Sequence, residues 1–201
     1  MKVLILAGGL GTRLSEITKK IPKPMAKIGK LPILHHIMNN YSFYGYNNFY
    51  IALGYKSELV KKYFCKNIKY NNKRLISIKY QSTNLYNKKF NNEWNVNLVN
   101  TGLRSLTGGR VKRMERLIGE KTFFLTYGDG LSNINLKKLL EFHKSHKKMV
   151  TVTAVRPPAR FGSLELSNNK VINFKEKIQT KEGWINGGFF VINPEFFKFL
   201  K

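Results

Sequence analysis

With 201 residues, 42% of them hydrophobic and 13% aromatic, the chain can bury a single core and is too apolar for a disordered segment. Its formal net charge of +25 is spread over the whole length with no basic arm or tail; the joint excess of 28 Lys and 21 Asn reads as compositional drift, with a field favouring anionic substrates as the functional alternative and nucleic acid not expected as a partner. No apolar stretch approaches the ~20 residues of a membrane span, the run 3–7 is shorter than a secretory h-region, and the lone Cys65 excludes an intrachain disulfide, so a cytoplasmic protein with no membrane partner is expected.

The first element is a continuously apolar strand over 1–7, running into glycines as a buried parallel strand does. A glycine-rich turn and a basic stretch broken by Pro22 and Pro24 follow. Apolar spacing predicts a helix over 31–44, a strand over 48–53 and a helix over 57–64, with Cys65 a buried, inert thiol at its end. A strand is expected over 75–80, an Asn-rich loop over 82–95 and a further strand over 96–99. A helix over 109–117 leads to a strand over 121–127 that ends in Gly128-Asp129-Gly130. A helix over 135–146 and a β-prone run over 149–155 come next; 161–192 reads as short strands with turns, and Pro194 opens a last helix. The final Phe-Phe-Lys-Phe-Leu-Lys has neither a C-cap glycine nor a polar tail, which predicts a chain that is C-terminally short.

This alternation implies an α/β fold: a Rossmann-like, mixed and mainly parallel sheet flanked by helices, in one domain spanning 1–201. Such sheets bind ligands beyond the carboxyl ends of their strands, and the glycine turns after Ala7 and after Tyr127 lie at two such ends.

Gly8-Gly9-Leu10-Gly11-Thr12-Arg13 directly follows the first strand. Glycines let backbone amides approach a phosphate and form an anion nest. The dinucleotide fingerprint fails, because Leu14 stands where its third glycine belongs, and the P-loop fails, because the turn ends Gly-Thr-Arg. What remains is a phosphate turn carrying its own arginine, able to grip oxygens bidentately. A glycine turn alone is equally a plain strand-to-helix connection, and a single lysine among 28 is ordinarily solvated. Lys23, however, is held between Pro22 and Pro24 on a stiff segment, where it can meet negative charge developing at phosphorus. Asp129 is the only aspartate in the chain.

Together these residues resemble the sugar nucleotidyltransferases. Ala7-Gly8-Gly9-Leu10-Gly11-Thr12-Arg13-Leu14, then Pro22-Lys23-Pro24-Met25 and Gly29-x-x-Pro32-Ile33-Leu34, are similar to that family's signature. Thr101-Gly102, Thr107-Gly108-Gly109-Arg110, Tyr127-Gly128-Asp129-Gly130, Arg160-Phe161-Gly162, Glu176-Lys177 and Asn186-Gly187-Gly188-Phe189 follow in order, and the set resembles the glucose-1-phosphate cytidylyltransferase branch. The resemblance covers essentially the whole chain and implies the nucleotide-diphospho-sugar transferase fold.

It also implies roles. Leu6, Ala7, Gly8, Gly9, Leu10 and Gly11 would hold the cytosine and ribose, with Thr12 and Arg13 on the triphosphate. Lys23 would stabilise the α-phosphate, Gly109 and Gly128 would contact nucleotide, and Asp129 would bind Mg²⁺. Lys177 would hold the sugar phosphate, and Asn186, Gly187 and Gly188 would line the hexose pocket. Arg104 stands where the branch tends to carry a small polar residue. The family's second metal-binding Asp falls beyond residue 201, in a region also used for subunit contacts, which implies a homo-oligomer. The expected substrates are CTP and glucose-1-phosphate, with Arg13, Lys23 and Asp129 as the catalytic set. Transfer from dTTP or UTP, a non-catalytic nucleotide or sugar-phosphate binder, and a charge-driven RNA binder are the competing readings. With Asp129 on a metal no Ser-His-Asp arrangement can be built, and the four histidines are expected at helix and surface positions.

Overall fold

A computed structural model of the chain describes residues 1–11, 20–66, 73–83, 92–157, 163–175 and 183–201. The chain packs as two units, Met1–Thr151 with Phe189–Lys201, and Val152–Gly188.

The first unit grows around β1 (Lys2–Ala7). Val3, Ile5 and Ala7 enter one buried cluster and Leu4 enters another, so the strand is apolar on both faces, as its unbroken hydrophobic run requires. β1 pairs in parallel with β4 (Asn48–Leu53) on one side and with β7 (Phe123–Tyr127) on the other. β6 (Glu93–Asn100) continues the parallel array beyond β4, and β5 (Leu75–Gln81) pairs antiparallel with β6. Beyond β7 come β11 (Ile185–Ile192), antiparallel to it, and β8 (Val150–Val155), giving the order β5-β6-β4-β1-β7-β11-β8. The expected mixed, mainly parallel sheet is observed.

Helices cover both faces. α1 (Ile33–Phe43), α2 (Ser57–Phe64) and α5 (Leu136–His146) place Leu34, Met38, Val60, Phe64 and Leu136 in the first cluster. α3 (Thr107–Lys112), α4 (Glu115–Ile118) and a terminal 3-10 helix, Pro194–Phe199, place Val111, Ile118 and Phe197 in the second. Cys65 is buried, as expected.

Several boundaries differ from the sequence reading. The helix expected over 109–117 is two short helices, because at Met114 the backbone tightens: its N–H donates to Val111 O, three residues back. β6 begins at Glu93, inside the expected loop, where the Trp94 side chain is fully buried in the first cluster. The last helix is a 3-10 turn set with Pro194 at its start. The basic stretch holds a 3-10 turn, Lys23–Met25, followed by the two-residue ladder β2 (Lys27–Ile28) and β3 (Leu31–Pro32).

The second unit contains the hairpin β9 (Ser163–Ser167) and β10 (Lys170–Lys175). Asn168 and Asn169 turn it with positive φ at both positions, the geometry of a type I′ turn.

Candidate active site

β1 lies where the sheet order reverses: the chain first builds outward to β4 and β6, then returns to β7 on the other side. The crevice beyond its carboxyl end is the position where an open α/β sheet takes its ligand. A cavity of about 660 Å³ lies there, within the range of small-ligand sites. It brings together Leu6, Ala7, Gly8, Gly9, Leu10 and Gly11 from the first turn with Lys23 and Asp129, all expected from the sequence. The other wall is the segment after β6, with Leu103, Arg104, Ser105 and Thr107.

Lys23 and Asp129 arrive from different elements and meet. Pro22 is extended, its carbonyl accepts from Met25 N at 2.8 Å, and the resulting 3-10 turn carries Lys23 with Pro24 buried beneath it. Asp129 follows β7, and Gly128 anchors that turn by donating its N–H to Leu6 O at 2.9 Å. A Cβ on Gly128 would lie 3.0 Å from both Leu6 O and Pro24 Cγ, so the glycine lets the β7 turn, β1 and the lysine turn close up. The Lys23 ammonium then stands 3.5 Å from the Asp129 carboxylate. The side chains are 24% and 42% exposed, open enough for a ligand to compete for either charge.

Arg110 is the residue that sequence reasoning read only as part of a motif. Only 4% exposed, it sends Nη1 to Leu53 O, Thr101 Oγ1 and Gly102 O at 2.8–3.1 Å, and Nη2 to Gly8 O at 2.6 Å and Leu103 O at 3.1 Å. Burial, with Arg113 nearby, lowers its pKa from the usual arginine value. This contact needs glycine twice. A Cβ on Gly8 would strike the Arg110 guanidinium and stand 2.8 Å from Gly54 N; one on Gly54 would stand 2.5 Å from Gly8 O. Gly54 was also missed, although its place directly after a strand matches that of Gly8 and Gly128.

The remaining expected residues divide. Gly109 sits in α3 and is not among the residues lining the cavity, whereas its neighbour Arg110 is. Thr12, Arg13 and Lys177 lie outside the described residues, as do Arg160-Phe161-Gly162 and Glu176. Asn186, Gly187 and Gly188 occupy the first half of β11 in the second unit, where Gly188 N donates to Asn186 Oδ1 at 2.8 Å.

His143 corrects an expectation: it is buried, not at the surface. His35 lies in α1, a helix position as expected, and is buried there. His35 donates from Nε2 to Thr83 O and accepts from Tyr63 OH, both at 2.8 Å; burial, opposed by the bond to Thr83 O and aided by nearby His36, pushes its pKa down to about 4. His143 is held by Thr151 Oγ1 at 2.8 Å and Asn193 Oδ1 at 3.0 Å. Neither lines the cavity.

A glycine-walled crevice at the switch point of an α/β sheet, lined by the cations Lys23, Arg104 and Arg110 and the carboxylate of Asp129, defines a nucleotide- or phosphate-binding α/β protein. A crystal structure of HddC from Yersinia pseudotuberculosis complexed with GMP-PN shares this fold, with a TM-score of 0.64 and 26% identity over 98% of this chain and 78% of that one. The chain belongs to the nucleotidyl transferase family, whose model matches residues 2–201. It is 45% identical over 195 residues to the glucose-1-phosphate cytidylyltransferase of Salmonella typhi, covering 96% of this chain and 76% of the relative. It is 43% identical over 201 residues to the probable glucose-1-phosphate cytidylyltransferase of Bacillus subtilis (strain 168), covering 100% of this chain and 78% of the relative.

Proposed function

We propose that the chain makes CDP-glucose and pyrophosphate from CTP and glucose-1-phosphate. The observation that carries the reading is the Lys23–Asp129 pair facing the glycine turn in one cavity, in a chain 43–45% identical to cytidylyltransferases of this reaction class. A phosphate oxygen of glucose-1-phosphate attacks the α-phosphorus of CTP in line, an O–P bond forms, and the bond from the α-phosphorus to the β-phosphate bridging oxygen breaks. Pyrophosphate leaves with that electron pair. The nucleophile is already an anion, so no general base is needed, and catalysis reduces to alignment and charge neutralisation.

The amides of 8–11 lie along the nucleotide, and the Lys23 ammonium, released from Asp129, neutralises charge building on the α-phosphate. Thr12, Arg13 and Lys177 take the phosphate roles that the resemblance implies. Among the described residues no group of three or more His, Cys, Asp or Glu is placed to hold a metal. One half-exposed carboxylate nonetheless suits Mg²⁺, which is bound by one or two carboxylates and completes its shell with water and substrate phosphates. Asp129 would hold it, and the ion would screen the triphosphate charge. Among the described residues no helix is long and apolar enough to cross a membrane. On this reading the reaction runs in the cytoplasm, with CTP as its nucleotide.

Lys23→Met tests the assignment. Loss of a cation aimed at transition-state charge should cut kcat by roughly 10²–10³ while changing the KM for CTP far less. A variant that raised KM at unchanged kcat would remove Lys23 from the chemical step.

A further inference from the structure

Asn186 stands directly before Gly187, and it is the only one of the chain's 21 asparagines that glycine follows. The pair falls in the first half of β11, ahead of the ladder with β7, which begins at Phe189. Gly188 has a φ of 83°, so the backbone leaves the extended conformation immediately after the pair. Asn186 is exposed, and its carboxamide folds back along its own backbone: Gly188 N donates to Asn186 Oδ1 at 2.8 Å, the hydrogen bond of an Asx turn. That bond brings the carboxamide carbon toward the intervening Gly187 peptide and polarises its C=O, as a donor aimed at a developing oxyanion does. Gly187 has no side chain to screen its nitrogen, and it cannot readily acquire one. A Cβ there would lie 2.9 Å from Val155 Cγ1 and 3.0 Å from Thr153 O.

We propose that Asn186 is a site of self-modification, deamidating through attack by the Gly187 nitrogen. That nitrogen gives up its proton to water and bonds to Asn186 Cγ, the carboxamide nitrogen leaves as ammonia, and a cyclic succinimide closes. A water molecule then opens the ring: at the side-chain carbonyl it leaves aspartate, and at the main-chain carbonyl it leaves isoaspartate, with one extra carbon in the backbone ahead of Gly188. Water is the only co-reactant, and nothing is oxidised or reduced. Either product puts a carboxylate where a neutral carboxamide stood. With Asn186 lining the hexose pocket, that charge opposes the anionic sugar phosphate, so the protein loses affinity for its sugar substrate as it ages while the nucleotide cavity is untouched. The effect on sugar binding rests on the function proposed above; the modification itself does not.

The test is peptide mass mapping of the full chain, incubated folded and in urea at neutral and mildly alkaline pH. Asn186 should be modified ahead of every other asparagine, and faster at the higher pH, because the Gly187 nitrogen must lose its proton. The folded chain should react at least as fast as the unfolded one, since the bond from Gly188 N holds the carboxamide in place. Isoaspartate among the products marks the cyclic route, because direct hydrolysis gives aspartate alone. Asn186→Gln, whose longer side chain must close a larger ring, should stay unmodified at this position. Asn186→Asp supplies one product directly and should raise the KM for glucose-1-phosphate about tenfold, the scale of one hydrogen bond to a charged group, at a nearly unchanged KM for CTP. An Asn186 that outlasts other asparagines, that reacts only in urea, or that yields no isoaspartate would overturn the proposal. Wild-type KM values in Asn186→Asp would overturn its effect on sugar binding. A wild type that turns over no substrate would sink the proposed function instead, and the mass map would still decide the modification.

Discussion

At the scale of single residues, the chemistry-bearing groups are exposed pairs and the stability-bearing groups are buried ones. The Lys23–Asp129 contact at 3.5 Å is too open to contribute much to folding, and its worth lies in presenting both charges to a ligand. His35 is the opposite case. Unfolded, its imidazole titrates near 6.5; folded, burial holds it down to about 4. The folded state therefore binds fewer protons between those values. The stability gained by keeping the ring neutral is complete above about 6.5 and is lost as pH falls toward 4, by about 2 kcal/mol at pH 5. Urea unfolding at pH 7.5 and pH 5 should show this fall in the wild type, and His35→Gln, neutral throughout, should fall less. Equal falls in both proteins would contradict the assignment. Lys23, Asp129 and the 8–11 turn were legible in the sequence because each carries a local mark: flanking prolines, a lone aspartate, clustered glycines after an apolar run. Gly54 and the clasp of Arg110 were not, because the clasp consists of main-chain oxygens at strand ends far apart in sequence, which no residue type announces.

Among the elements, strands and long helices followed periodicity closely, since each buries a face that the sequence writes in hydrophobic residues. α5 shows where that signal was misread. Leu136, Leu139 and His143 share its buried side at helical spacing, while the surrounding lysines suggested a surface histidine. The end of α5 is tied down by an ordered chain of donors. Lys148 N donates to His146 Nδ1 at 2.9 Å, so His146 Nε2 donates to Thr151 Oγ1 at 2.6 Å, and that hydroxyl donates to His143 Nδ1. His143 Nε2 then donates to Asn193 Oδ1, which also accepts from Thr122 Oγ1 at 2.7 Å. The chain joins α5, the start of β8 and the residues flanking β7 and β11. Thr151→Val fills the same space but leaves a buried acceptor and a donor unmatched, and should cost about 1–3 kcal/mol in denaturant unfolding at neutral pH. An unchanged midpoint would show that the histidines find water instead.

Over the whole molecule, the order of strands decides where ligand can bind. β1 is flanked in parallel by β4 and β7, which opens the crevice at its carboxyl end, and the loops after β1, β6 and β7 supply the walls. The alternation of strands and helices announced the fold class, but the antiparallel placement of β5 and β11 is a property of long-range pairing that local pattern does not encode. The net charge of +25 suits a cavity that must take a triphosphate and a sugar phosphate together, although charge alone selects neither base nor sugar. That selection is the central claim. It is tested most directly by pyrophosphate release from the 201-residue chain with Mg²⁺, glucose-1-phosphate and CTP, UTP, dTTP or GTP in separate reactions, with Asp129→Ala alongside. Release with CTP well above that with the other three, abolished in Asp129→Ala, is the predicted result. Silence with CTP, a preference for another nucleotide, or undiminished release by Asp129→Ala would contradict it.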